Sequence, residues 1–209
     1  MSQPPITLYA IPASRGIRVT ATLEELGLDY DFRPMMPGTD LAKELHCMAK
    51  TPVLKYGDLS LIESAAICQF LASRHGQGTL LPAEGSDERA RHDQLLWFVV
   101  TELEQPLWTL GKHSFVMPKE ARVEAIKPVA RAEFARALAG FERLFGDGPY
   151  AMGEQFTLVD ILAAHTLNWA VSAKCAVDSP AVSDYRARVL ERPCFAAARA
   201  REEAARQQH

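Results

Sequence analysis

The stretch from Met48 to Ile67 constrains this chain most. Val53-Leu54-Lys55-Tyr56 and Leu59-Ser60-Leu61-Ile62 are two strand-like runs separated by Gly57-Asp58, a dipeptide suited to a two-residue hairpin turn. Pro52 stands just ahead of the first run. Proline has no N–H to give a ladder, so it belongs at a strand start, and it pushes the preceding Thr51 into an extended conformation. Glu63-Ser64 follow the second run and open an apolar-periodic helix with Ile67, Phe70 and Leu71 on one side. The stretch therefore reads as loop, proline, strand, tight turn, strand and helix start.

The same order of elements can make a small-molecule site. Thr51, held extended, can turn its backbone N–H and C=O outward. Ser64 and the free N–H groups of a helix start suit a carboxylate, and Glu63 beside them suits an ammonium group. An extended peptide edge next to such a clamp fits an amino acid or a small peptide. The plainer reading of these residues is a strand-starting proline and an ordinary helix cap.

Around this stretch the first part of the chain alternates strands and helices. Ile6 to Ala10 reads as a strand and Ile11 to Gly16 as a turn. A helix is expected from about Ile17 to Leu26, with Val19, Leu23 and Leu26 on one face and Gly27 as its stop. Leu28 to Phe32 alternates as a second strand, which makes a βαβ unit and hence a parallel pair. A short helix at Asp40–Leu45 leads back to the central stretch. The expectation is an α/β domain with a mixed sheet over residues 1–78.

After a linker at 76–86 the pattern becomes wholly helical, and residues 87–209 are expected to form an all-α second domain. Asp87 opens a long helix carrying Leu95, Leu96, Val99 and Leu103, with a kink at Pro106. Pro118 is expected to start the next helix, inside which Pro128 sits awkwardly. Thr157-Leu158-Val159-Asp160 is a capping-box start, Ser179-Pro180 begins another helix, and Cys194 to about Ala205 forms the last.

The 209 residues carry a formal net charge of -3, which gives no electrostatic case for nucleic acid or an anionic membrane as partner. Four cysteines, Cys47, Cys68, Cys175 and Cys194, lack metal-ligand spacing, so no metal is expected and they read as reduced thiols of a cytoplasmic protein. The N-terminal residues have no basic region with an apolar run, and Ile161 to Ala173 is too short to span a bilayer.

This layout resembles the cytosolic glutathione S-transferases, especially bacterial and theta/delta-like serine-type members. The residues that carry the likeness run through nearly the whole chain. They are Leu8-Tyr9-x-x-Pro12-x-Ser14-x-x-x-Arg18-Val19, Leu23-Glu24-Glu25-Leu26-Gly27-Leu28-x-Tyr30, Lys50-Thr51-Pro52-Val53-Leu54 and Leu61-Ile62-Glu63-Ser64-Ala65-Ala66-Ile67. Further along they are Leu80-Leu81-Pro82, Gly153-Glu154-x-Phe156-Thr157-Leu158-Val159-Asp160-Ile161 and Arg192-Pro193. The resemblance implies a thioredoxin-like domain that holds glutathione as co-substrate, followed by a helical domain that lines an acceptor pocket. It implies that Glu63 and Ser64 hold the γ-glutamyl ammonium and carboxylate. Thr51 pairs backbone to backbone with the cysteinyl part beside a cis-Pro52, and Lys50 lies near the glycyl end. It also implies a homodimer. His46-Cys47-Met48-Ala49 stand where the family often has Asn-Pro-x-Gly, and Ala65 stands where many members have Arg or Asn.

The chemistry such a protein needs is a thiolate at neutral pH. A free thiol titrates near ~8.5, so only about 3% is ionised at pH 7. One hydrogen bond to a charged group contributes roughly 1.5–3 kcal/mol and one pKa unit is about 1.36 kcal/mol, so a single donated hydroxyl lowers the thiol pKa by roughly one to two units. Ser14, four residues before Arg18 at the start of the first helix, fits the serine-type motif. Its plainer role is a helix N-cap. Trp108 and His113, after the kink at Pro106, are the candidates for an acceptor pocket, or else belong to core or dimer packing. The activity expected is conjugation of the glutathione thiolate to an electrophilic, largely apolar small molecule. The alternatives are a glutathione- or protein-binding module without turnover, and a glutathione-dependent disulfide or peroxide reductase.

Overall fold

The computed structural model describes residues 4–207. The chain falls into two compact units: residues up to Leu81 together with those from Leu190 onward, and Pro82–Val189.

The first unit begins β1 (Ile6–Ala10), α1 (Gly16–Glu25), β2 (Asp31–Pro34), α2 (Asp40–Leu45), β3 (Val53–Tyr56), β4 (Leu59–Ile62), α3 (Ser64–His75). The four strands lie in the order β2-β1-β3-β4, with β1 parallel to β2 and the other two pairs antiparallel. This is the expected mixed sheet. Ile6, Leu8 and Ala10 are buried at alternate positions of β1, and Leu8 pairs with the buried Leu54. α1 packs tightly on this sheet because Gly16 has no side chain: a Cβ there would meet the Ala10 Cβ at 2.5 Å. Gly27, at φ +62, ends α1. Its N–H reaches the Glu24 carbonyl and the Leu28 N–H reaches the Leu23 carbonyl, the paired bonds of a Schellman stop.

The second strand starts later than its alternation suggests. Tyr30 and Phe32 are both buried, but pairing with β1 runs from Thr7 opposite Asp31 to Ala10 opposite Pro34. Residues after Gly27 are spent bringing the chain back to the sheet edge, so the alternation reports which side is buried rather than where the ladder begins.

The second unit is helical: α4 (Asp87–Phe98), a π-helical turn at Val99–Leu103, α5 (Gln105–Gly111), a second π-helical turn at Lys112–Val116, α6 (Ile126–Leu144), α7 (Leu158–Ser172), α8 (Pro180–Leu190). Leu95, Leu96, Val99 and Leu103 are all buried, as their spacing requires. The kink expected at Pro106 takes the form of the first π-helical turn. Glu104 N–H reaches back five residues to the Val99 carbonyl at 2.9 Å, and Pro106 enters the first turn of α5, where a missing N–H costs nothing. Pro118 starts only a short 3-10 turn, Lys119–Ala121. The long helix begins at Ile126, so Pro128 falls in its first turn, where no intrahelical donor is required.

The Thr157/Asp160 capping box is present at the head of α7. Asp160 is fully buried and accepts hydrogen bonds from Ala151 N–H at 2.8 Å, Thr157 N–H at 2.7 Å and the Tyr185 hydroxyl at 2.8 Å. Burial raises its carboxyl pKa while these bonds act to lower it.

The last helix, α9 (Pro193–Arg206), belongs to the first unit, where residues 87–209 were expected to form one helical domain. It packs on α1. Arg192 pairs with Glu25 at 2.6 Å, and Phe195, Ala198 and Glu202 are buried. Its apolar stripe is plain in the sequence, but a stripe does not say which surface it covers.

Candidate functional site

The sheet register brings the sequence-predicted residues of the first unit to one end of the sheet. Tyr9 lies opposite Val53, and Val53 lies opposite Ile62. The turn after β1, which carries Ser14, therefore leaves the sheet at the end where Thr51-Pro52 enters β3 and where β4 passes into Glu63-Ser64. Three segments far apart in sequence meet because antiparallel pairing sets the exit of one strand beside the entry of the next.

Ser14 lies in the turn ahead of α1 and is half-buried. Its hydroxyl donates to the Ile11 carbonyl at 2.7 Å and accepts from Gly16 N–H at 3.2 Å. Its carbonyl accepts from Ile17 N–H at 3.1 Å. Arg15, not Ser14, occupies the position just before the helix and makes no capping bond through its side chain. The preceding Ala13 adopts φ +59, a left-handed conformation uncommon for a residue with a Cβ.

The Thr51–Pro52 peptide bond is cis. Both strand registers of β3 begin at Val53, so Thr51 lies outside the ladder. Lys50 beside it is exposed. Glu63 is exposed at φ +68, ψ +108, outside the ordinary regions for a non-glycine residue. Such a conformation costs on the order of 1–3 kcal/mol and persists where surrounding structure holds it. Here β4 on one side and the first turn of α3 on the other hold it. Ser64, the first residue of α3, is buried, and the Arg18 guanidinium donates to its Oγ at 3.4 Å.

The loop His46-Cys47-Met48-Ala49 has its own logic. The buried His46 accepts Met48 N–H on Nδ1 at 3.0 Å, and Ala49, at φ +49, donates to the His46 carbonyl at 2.7 Å. The left-handed turn that a glycine adopts freely is kept here by an alanine.

No cysteine sits at the first helix start. Cys68 is fully buried, and burial pushes its thiol up to about 12, which rules it out as a ready nucleophile. Cys47 is exposed. Among the described residues no cluster of His, Cys, Asp or Glu could hold a metal ion, and no helix is long and apolar enough to cross a membrane.

Trp108 and His113 belong to the helical unit. Trp108 is half-buried on α5, and His113, in the second π-helical turn, accepts Val123 N–H on Nδ1 at 3.1 Å. A groove of about 360 Å³ in this unit runs between the α4–α5 segment and α6, with Phe98, Gln105, Glu133 and Arg136 among its walls. Neither Trp108 nor His113 lines it.

Sequence reasoning missed Glu202. This buried residue of α9 accepts Ala13 N–H on Oε2 at 2.7 Å and the Thr20 hydroxyl on Oε1 at 3.0 Å. Burial raises its carboxyl pKa against the pull of those two bonds. The one available signal was an acid in the apolar stripe of the last helix, which carries no information on its partner.

The family description "Glutathione S-transferase, N-terminal domain" matches residues 8–79, and "Glutathione S-transferase, C-terminal domain" matches residues 106–193. A glutathione S-transferase of Hyoscyamus muticus is 30% identical over 195 residues, covering 87% of this chain and 91% of that protein. Glutathione S-transferase 3 of Zea mays is 28% identical over 215 residues, covering 91% of each chain. The crystal structure of a glutathione transferase from Methylococcus capsulatus superposes with a TM-score of 0.84 at 28% identity, covering 95% of this chain and 99% of that one. The chain belongs to the glutathione S-transferase family, a family that uses glutathione as co-substrate.

Proposed function

We propose that this protein is a serine-type glutathione transferase that adds the glutathione thiolate to an electrophilic, largely apolar small molecule. Ser14 donates its hydroxyl to the thiolate. Glu63 takes the γ-glutamyl ammonium and Ser64 the carboxylate, Thr51 pairs with the cysteinyl backbone beside cis-Pro52, and Lys50 serves the glycyl end. Trp108 and His113 contribute to the acceptor pocket. The observation that carries this reading is the position of the Ser14 Oγ, in the turn ahead of α1 and at the sheet end that also presents Thr51, Glu63 and Ser64.

The hydroxyl's present bonds suit the role. Gly16 N–H fixes the oxygen, while its hydrogen goes to the neutral Ile11 carbonyl. A charge-assisted bond is roughly twice as strong as a neutral one, so a thiolate ahead of α1 wins that hydrogen by rotation of one O–H bond. The start of α1 adds favourable potential for an anion. No general base is needed, because the pKa shift alone makes much of the bound thiol reactive.

The protein is proposed to act in the cytoplasm as a homodimer. The apolar side chains of Met36, Leu41 and Met48 are exposed, and the homodimer reading gives them a second copy to pack against.

The test is an ultraviolet difference titration of bound glutathione, following thiolate absorbance against pH. A thiol that ionises one to two units below its free value, and returns toward that value in Ser14→Ala, is the expected result. Glutathione that binds with a normally titrating thiol would point instead to a binding module. Turnover should fall more than glutathione affinity in Ser14→Ala, and an equal loss of both would count against Ser14 as the donor.

A further inference from the structure

We infer that Glu202 is a positioning residue for Ser14: from the last helix it grips the backbone of the turn that presents the serine hydroxyl. The inference rests on the reading of Ser14 as thiolate donor.

The contacts are specific to that turn. Glu202 Oε2 takes the N–H of Ala13, the residue before Ser14, at 2.7 Å, and Ala13 holds φ +59. An alanine does not choose this conformation, and the hydrogen bond from its N–H to a buried carboxylate is what opposes relaxation. The other oxygen, Oε1, lies 3.0 Å from the Thr20 hydroxyl, which also reaches the Gly16 carbonyl at 3.1 Å. One side chain thus spans the turn and the first full turn of α1. Ser14 sits between the two anchor points, and its Oγ takes its own second bond from Gly16 N–H.

Docking of α9 on α1 does not need this carboxylate. Arg192 with Glu25, Arg201 with Glu24 at 3.7 Å, and the buried Phe195 and Ala198 already tie the helices together. A buried acid among such contacts is costly, and an apolar side chain of similar size would pack the helix pair at least as well. Oε1 meets α1 itself at Thr20, but Oε2 goes to Ala13, which lies in the turn ahead of the helix and next to Ser14. A group retained only for helix docking would spend both bonds on α1.

The test is the same thiolate titration on four proteins: wild type, Ser14→Ala, Glu202→Ala and Glu202→Gln. Glu202→Ala should raise the bound thiol's pKa by about one unit, which is about tenfold less thiolate below that pKa, with glutathione affinity changed less than threefold. Glu202→Gln restores an acceptor for Ala13 N–H and should recover at least half of that shift. Should Glu202→Ala fail to fold, Glu202→Asp decides: it keeps the charge but withdraws the carboxylate by one methylene, and it should move the thiol pKa part of the way. A wild-type titration in Glu202→Ala or Glu202→Asp, alongside a shifted Ser14→Ala, overturns the inference and leaves the reading of Ser14 standing. A loss in Glu202→Gln as large as in Glu202→Ala also overturns it, since the acceptor would then not be what matters. A wild-type titration in Ser14→Ala overturns the reading itself.

Discussion

The buried guanidinium of Arg18 donates to the Oγ of Ser64 at 3.4 Å, joining the first turn of α1 to the first residue of α3. Forty-six residues separate the two in sequence. The bond places a permanent positive charge behind a helix start that already favours an anion.

Arg18→Met keeps most of the volume and removes the charge and the donor. Glutathione affinity should fall about tenfold, roughly 1.4 kcal/mol, as measured by isothermal titration. The pKa of the thiol at saturating glutathione should stay as in wild type, because Ser14 is untouched. Unchanged affinity would detach Arg18 from the binding site and leave it a packing residue.

Ala49 holds φ +49 in the loop before the cis bond, and glycine adopts that conformation without steric cost. Ala49→Gly relieves the left-handed alanine, worth about 1–2 kcal/mol, against a smaller entropic cost in the unfolded chain. The net expectation is stabilisation of about 1 kcal/mol, read from the urea midpoint. A lower midpoint would mean that the Ala49 methyl makes packing contacts that outweigh the strain.

Asp160 collects the Ala151 and Thr157 amides and the Tyr185 hydroxyl in a buried site. Asp160→Asn replaces one acceptor oxygen by an NH₂ group that must face a donor. Loss should be on the order of 3 kcal/mol in urea unfolding, while Tyr185→Phe should lose only about 1–2 kcal/mol. Comparable losses in the two variants would show that the hydroxyl, and not the amide pair, dominates the site.

His92 is fully buried in α4, its Nδ1 lies 2.9 Å from Asp93 Oδ1, and its Nε2 has no hydrogen-bond partner among the described residues. Burial lowers its pKa, with Asp93 acting the other way. The unfolded chain therefore takes up this proton first as pH falls. Stability is complete above the ordinary imidazole value of about 6.5 and is lost as pH drops below it toward the folded value. Urea midpoints for wild type and His92→Leu should diverge least near pH 5 and most above pH 7 if His92 is well packed when neutral. A wild-type midpoint that falls no more steeply than the variant's between those limits would contradict the assignment.

Local patterns in the sequence determined much of this protein. Short strand-like runs and turn chemistry placed β1, β3 and β4, since such runs and the Gly57-Asp58 turn are written in adjacent residues. The Thr157/Asp160 box announced α7 because capping is a contact over three residues. Family resemblance singled out Ser14, Thr51, Glu63 and Ser64 as separate short motifs. Tertiary structure decided what those motifs do to one another. β2 begins where pairing with β1 begins, not where its alternation does. Pro128 became harmless once the helix start moved to Ile126. The grip of Glu202 on Ala13 spans 189 positions, and Arg18 reaches Ser64 across the sheet-bound end of α1. The physical reason is range. Propensity, capping and turn geometry act over a few residues, whereas a buried charge is defined by its partner, which only the folded chain brings within 3 Å or so.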